Sequence, residues 1–316
     1  MENNYFVIFL GVLIFIYILD RVIDWLSAPP TTSENFTSNG GNTPPTALPP
    51  VQKELVITNN NQIYDRFYSK IYDKILYTPR KNEFELEDIR QRHLSKYKPQ
   101  DVAILDVGCG TGHHSTELAK KYRRIVGLDS SSAMLEQARK LPGADKVEWV
   151  IATAEDSDSF GPGEFTTIMC LYFTIYYINR PQFFINANKW LKKDGYLVIH
   201  VVDPKKFDPT LDVASPFPAF SIQKYSKTRV INTNVVFNKM EYESKFIENG
   251  EEGANFEEIF TDKQGKFRRT QTHQLKMHSI DRIVGEAEGA GFKLIGKTDM
   301  VRCEFEYQYL LYFTKK

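Results

Sequence analysis

Cysteine is scarce in this 316-residue sequence. Its three copies, Cys109, Cys170 and Cys303, are odd in number, widely spaced and without a Cys-x-x-Cys pair. That speaks against a disulfide framework or a zinc site, so no metal is expected, and a reducing compartment fits best. Net charge is also missing, since 40 Lys and Arg balance 40 Asp and Glu. Without a basic excess there is no electrostatic case for nucleic acid as the main partner. No internal repeat is visible. What is present forms cores: 42% of the residues are hydrophobic and 13% aromatic, which excludes a disordered chain.

One unbroken apolar run stands apart, Tyr5 to Leu19, followed by Asp20, Arg21, Asp24 and Trp25. As a helix it falls short of the roughly 20 residues that span a bilayer. Snorkelling of Arg21 and an interfacial Trp25 extend it, so residues 5–26 read as a membrane anchor. A cleaved signal peptide fits worse, because Glu2 replaces the basic start and Leu26 and Pro29 flank the cut poorly. Residues 28–55, rich in Pro, Thr, Ser and Asn, read as a disordered tether. The expected organisation is a transmembrane anchor over 1–27, a linker over 28–55 and a catalytic-type domain over 56–316.

Within that domain, Ile63 to Leu76 carries Tyr64, Phe67, Tyr68, Ile71, Tyr72 and Ile75 at helical spacing. This stripe either packs on the core or forms a lid over a ligand. A second helix is expected over Glu85 to Ser95. Val102 to Val107 is a buried-strand run that ends in Gly108, Gly110 and Gly112, with a helix from His114 to Lys121. Strand then alternates with helix: Arg124 to Leu128 ending at Asp129, a helix capped by Ser130 or Ser131, then strands at Val147 to Ile151 and Phe165 to Leu171. A helix at Arg180 to Leu191 and a turn at Asp194-Gly195 lead to a fifth strand, Tyr196 to Val202. This rhythm predicts an α/β fold with a parallel sheet and right-handed crossovers. Val235 to Ile247, Asn255 to Phe260 and Lys266 to Met277 predict an antiparallel β insertion at about 229–277. A helix through Ile280 to Ala287 stops at Gly289 and Gly291. Two closing strands, Phe292 to Val301 and Tyr307 to Phe313, are placed to pair antiparallel.

The glycine loop after the first strand admits a nucleotide-type cofactor. Position 113 is His, so the dinucleotide pattern G-x-G-x-x-G is broken, and no Lys follows Gly112 to make a phosphate loop. A cofactor with a carboxylate, an amine and a ribose but no phosphate suits the loop better. Ile104-Leu105-Asp106-Val107-Gly108-Cys109-Gly110-Thr111-Gly112 resembles the first motif of class I S-adenosyl-L-methionine-dependent methyltransferases. Val126-Gly127-Leu128-Asp129-Ser130-Ser131 is similar to the second. The likeness runs on through Ala154-Glu155-Asp156 and the Leu191 to Leu197 turn, over about 103–202.

The resemblance implies a Rossmann-like seven-stranded sheet of order 3-2-1-4-5-7-6 with strand 7 antiparallel. It also implies a small-molecule acceptor class and a cofactor site. Gly108, Cys109, Gly110 and Gly112 would admit the methionine and ribose portions, with Asp106 near the amino group. Asp129 would accept both ribose hydroxyls, a role that a carboxylate's two oxygens suit; its rival reading is a helix N-cap. Adenine would sit near Ser130, Thr153, Ala154 and Glu155, with Thr153 standing where many relatives carry Asp. Cys170 and Leu171 would flank the sulfonium.

Methyl transfer needs a base only if the acceptor must lose a proton. His113, His200 and Tyr172 are candidates, with His114 and Tyr176 behind them, and each has a plain structural alternative. An anchored enzyme favours a lipid-like or other amphipathic acceptor by effective concentration; equally, the anchor fixes only location and the acceptor is a soluble small molecule or a protein. Because the cofactor and reduced thiols are cytosolic, the catalytic domain is expected on the cytosolic side of a single-pass anchor. The segment from Asp203 to Met277 is expected to form the acceptor pocket, with a flap at 215–220. The rival functions are a non-catalytic cofactor-binding or interaction module of the same fold and a nicotinamide-dependent oxidoreductase.

Overall fold

The structure, a computed structural model, describes residues 51–214, 223, 226, 228–250 and 253–315. The anchor expected at 1–27, the linker up to residue 50 and the flap at 215–220 lie outside the described residues. Among the described residues, no helix is long and apolar enough to cross a membrane.

A seven-stranded sheet carries the fold. Its strands are β2 (Ala103–Val107), β3 (Arg124–Asp129), β4 (Val147–Ile151), β5 (Phe165–Cys170), β6 (Leu191–Val202), β11 (Phe292–Asp299) and β12 (Gln308–Lys315), in the spatial order β4-β3-β2-β5-β6-β12-β11. Counted along the chain within this sheet, the order is 3-2-1-4-5-7-6. β2 to β6 pair in parallel, and β12 runs antiparallel to both of its neighbours.

The sheet is apolar on both faces, as a covered parallel sheet must be. Alternation along each strand divides its side chains: Leu105, Ile168, Leu197 and Ile199 enter one core, Ile104, Met169 and Val198 the other. The first core is closed by α7 (Arg180–Trp190) and α8 (Ile280–Gly289), through Phe183, Phe184, Trp190, Ile283 and Ala287. The second is closed by α3 (Pro79–Arg92) and α4 (His113–Leu118), through Leu86, Ile89 and Leu118.

The insertion forms a second sheet of its own. β7 (Asn232–Val236), β8 (Met240–Glu248), β9 (Ala254–Asp262) and β10 (Arg268–Leu275) make an antiparallel meander, and β1 (Glu54–Ile57) adds to β10 in parallel. Glu54 and Leu55, expected in the linker, therefore belong to a strand. A third core joins this sheet to α2 (Arg66–Leu76), with Tyr68 and Ile75 against Val235, Tyr242 and Phe260.

Several expected boundaries shift for local reasons. The stretch from Ile63 to Leu76 is not one helix. A single turn, α1 (Asn60–Ile63), precedes α2, because the Asp65 carboxylate accepts from the N–H groups of Phe67 and Tyr68 at 3.0 Å each and caps a new start. The next helix begins at Pro79, six residues earlier than expected, since proline suits a first turn. Val235 to Ile247 is a hairpin rather than one strand, closed where the Phe237 N–H meets the Met240 carbonyl at 2.9 Å. Ser131 alone caps α5 (Ser132–Ala138), by accepting from the Met134 N–H.

Candidate functional site

The carboxyl ends of β2, β3 and β5 open into a cavity of about 330 Å³, closed from the other side by α2, α3 and the inserted sheet. The glycine loop forms its floor. Gly108 has φ +68°, and a Cβ there would stand 2.4 Å from Thr174 Cγ2, so no other residue fits. Gly110 has φ +56°, yet a Cβ would meet only Met134 Cε at 3.5 Å. Backbone conformation therefore asks for glycine at 110, and open space lies beside it. The N–H groups of Gly108 and Cys109 both donate to the Leu128 carbonyl, at 2.7 and 3.0 Å, which fastens the loop to the end of β3.

Asp129 closes β3 and faces the cavity. One carboxylate oxygen accepts from the Gly110 N–H at 2.9 Å, the other from the Ser131 N–H at 2.8 Å. Each oxygen keeps lone pairs for a further donor. Burial pushes this carboxyl up to about 6, and the two N–H donors only partly offset it. The cap of α5 is Ser131, so Asp129 is not spent on that role. Asp106 is buried and accepts from Ser115 Oγ at 2.7 Å, and burial raises its carboxyl.

A buried charged cluster, which spacing did not reveal, reaches Asp106 through His114 and Glu85. Lys81 on α3 lies 3.8 Å from the Glu85 carboxylate and 3.8 Å from the Tyr172 ring centre. The other Glu85 oxygen meets His114 Nε2 at 2.9 Å. Burial pushes Glu85 up, but Lys81 and His114 outweigh it and hold the carboxyl below its ordinary range. Burial pulls the Lys81 ammonium down. Lys81 and His114 line the cavity, and Glu85 holds both in place.

Among the expected site residues, Asp106, Gly108, Cys109 and Gly110 line the cavity from the loop, and Asp129 and Ser130 from the end of β3. Thr153, Ala154 and Glu155 line it beyond β4, and Leu171 beyond β5. Glu155 also accepts from the Asn179 N–H at 2.6 Å. Gly112 and Cys170 do not line it: Gly112 packs under the Trp149 ring, and Cys170 is sealed in the first core.

The catalytic candidates separate in the same way. His113 borders the cavity, stacks on Tyr77 at 3.7 Å and meets Asp73 at 3.0 Å, so it fixes the loop against α2. Tyr172 lines the cavity in a strained backbone conformation, φ +51°. His200 does not reach it. Its Nδ1 donates to the Tyr172 carbonyl at 2.6 Å, and burial pulls its pKa down to about 3, so it stays neutral and holds Tyr172 in place. Tyr176 is spent on the Val202 backbone, accepting from its N–H at 2.7 Å.

The opposite wall combines both readings of the aromatic stripe. Phe67 packs edge-on against Phe260 and Phe267, while Tyr64, Tyr68 and Tyr72 line the cavity. Tyr177 and His273 join them there. Neither Lys81 nor His273 belongs to a motif; only folding brings α3 and β10 to the same space.

Residues 104–195 match a family model described as a methyltransferase domain. The chain is 30% identical over 156 residues to the malonyl-[acyl-carrier protein] O-methyltransferase of Legionella pneumophila, covering 48% of this chain and 53% of that protein. It is 32% identical over 120 residues to a dTDP-4-amino-2,3,4,6-tetradeoxy-D-glucose N,N-dimethyltransferase of Saccharopolyspora spinosa, covering 37% and 46%. The chain thus spans about half the length of these curated relatives. In fold it is similar to the CcbJ methyltransferase of Streptomyces caelestis, with TM-score 0.59 at 15% identity over 81% of this chain and 99% of that one. It is also similar to the S-adenosylmethionine-bound amino pentose methyltransferase CalS10 of Micromonospora echinaspora, with TM-score 0.52 at 22% identity over 74% and 90%.

Proposed function

We propose that this chain is an S-adenosyl-L-methionine-dependent methyltransferase that acts on a small or amphipathic acceptor. The observation that carries the reading is Asp129. Its carboxylate stands beside open space at Gly110, is oriented by two backbone N–H groups and keeps lone pairs free. Such an acceptor suits a ribose diol. A glycine loop without Lys or Arg suits a cofactor without phosphate.

The residues present fit that cofactor. Asp129 would accept the ribose hydroxyls, and Thr153, Ala154 and Glu155 would border adenine. At the other end, Lys81 matches the carboxylate of the methionine portion, and Asp106 its amino group. The bound cofactor supplies an electrophilic methyl group on a sulfonium. The chain's own residues fix the two reactants in line and exclude water, and positioning of this kind supplies much of the rate. Phe173, Phe207, Phe246 and Phe256 line the remaining cavity and favour an acceptor with an apolar body. The amphipathic side of the reading, with residues 5–26 in a membrane, rests on the N-terminal sequence, and the cytosolic face on the reduced thiols and the cofactor's compartment.

Calorimetry on the full chain with S-adenosylmethionine, S-adenosylhomocysteine and NAD tests the reading. Both sulfur ligands are expected to bind and NAD is not. If neither sulfur ligand binds, the methyltransferase reading is wrong.

A further inference from the structure

A buried polar chain leads away from the acceptor side of the cavity. Tyr177, the last residue of α6 (Thr174–Tyr177), lines the cavity and stands 2.7 Å from His273 Nδ1. His273 Nε2 lies 2.6 Å from Glu258 Oε2. Tyr242 donates to the other Glu258 oxygen at 2.7 Å, and Gln271 donates to Oε2 at 2.6 Å. Glu258 is wholly buried and His273 nearly so. The alternation of β9 and β10 sets Glu258, Arg269, Gln271 and His273 on the inner face of the inserted sheet.

A buried carboxylate is costly and an apolar residue would pack there more simply, so its presence calls for a role. Burial pushes Glu258 up, but His273 and the hydroxyl and amide donors outweigh it and keep it ionised. An ionised Glu258 fixes the imidazole proton on Nε2 and leaves Nδ1 to accept from the Tyr177 hydroxyl. Arg269 does not compete for this carboxylate: its guanidinium binds Gln271, Asp65 and the Ile63 carbonyl. The arrangement is that of a hydroxyl, an imidazole base and a buried acid behind it.

We propose that Tyr177, His273 and Glu258 form a proton relay that deprotonates a hydroxyl acceptor as it is methylated, an inference that rests on the methyltransferase reading above. The acceptor oxygen forms its bond to the methyl carbon while the carbon–sulfur pair stays on sulfur. The hydroxyl proton passes to the Tyr177 oxygen as the Tyr177 proton passes to His273 Nδ1, and Glu258 stabilises the imidazolium. Burial raises the Tyr177 phenol, so Tyr177 shuttles a proton and is not itself a standing base. Tyr177 and His273 are the catalytic residues, and Glu258 is a positioning residue.

The titratable groups that face His273 are Glu258 on β9, Tyr177 on α6, Tyr64 after α1 and Tyr68 on α2, with Arg269 four residues back along β10.

The test uses the full chain, methyl-tritiated S-adenosylmethionine and a deproteinised cell extract as acceptor mixture. The wild type is expected to form a labelled methyl ether. Tyr177→Phe is expected to lose about 100-fold in kcat while keeping S-adenosylhomocysteine affinity within about twofold. Glu258→Gln is expected to lower kcat with the same affinity retained. Nitrogen-15 NMR of the wild type is expected to find the His273 proton on Nε2. Wild-type turnover in Tyr177→Phe, label only on nitrogen, an Nδ1 proton, or cofactor binding without any labelled product would each overturn the relay. Absence of cofactor binding, measured separately, would instead overturn the methyltransferase reading and the relay with it.

Discussion

At the scale of single residues, Asp129 gives the sharpest consequence. Burial lifts its carboxyl from 3.8 to about 6. A ribose diol binds best to the ionised form, since only that form offers acceptors on both oxygens. Affinity for S-adenosylhomocysteine is therefore full above about pH 7 and falls as pH drops through about 6, to about tenfold weaker by pH 5. Calorimetry across that range checks the slope, and Asp129→Asn is expected to bind weakly with no such slope. If wild-type affinity does not change between these limits, Asp129 does not hold the diol.

Residue by residue, what was legible in the sequence was local. Gly108, Gly110, Asp106 and Asp129 lie within one strand-turn-helix unit and the strand after it, so their spacing carries their geometry. Lys81, Glu85, Glu258 and His273 had no such signal, because they are spread over three separate elements, α3, β9 and β10. Motif position alone points to Cys170 and Gly112. Alternation along β5 turns Cys170 into the core, and the Trp149 ring covers Gly112.

At the scale of elements, α2 links the glycine loop to the inserted sheet. Asp73 on α2 accepts from Thr111 at 2.6 Å and meets His113, while Asp65 at its start binds Arg269 on β10 at 2.7 Å. Asp65→Ala removes two cap bonds and the carboxylate partner of the buried Arg269 guanidinium. It is expected to cost about 1–2 kcal/mol, read as a lower midpoint of thermal unfolding, with a smaller loss for Asp65→Asn. An unchanged midpoint in both would deny the cap its role. The periodicity of Ile63 to Leu76 was readable, but the break at Asp65 was not, because a capping carboxylate and a solvent-facing one look alike in sequence. Similarly, Val235 to Ile247 lacks Gly or Pro at its turn, so its apolar pattern hid the hairpin.

At the scale of the whole molecule, two sheets divide the work: the seven-stranded sheet presents the glycine loop and Asp129, and the inserted sheet presents His273 and Glu258. The parallel sheet was legible because β2, β3 and β5 each end at a turn signal and a helix follows. The parallel addition of β1 to β10 was not, since four residues at the end of a polar stretch carry no pattern of their own. For the N-terminal segment, the proposal is membrane attachment through residues 5–26. The full chain is expected to sediment with membranes and to move to the supernatant when residues 1–27 are removed; a full chain found only in the supernatant would refute it. The central claim concerns what the cavity holds, and it is tested most directly by titrating S-adenosylhomocysteine into the wild type and Asp129→Ala side by side. Binding to the wild type and at least about tenfold weaker binding to the variant are expected; equal binding to both, or none to the wild type, would contradict a ribose diol held by Asp129.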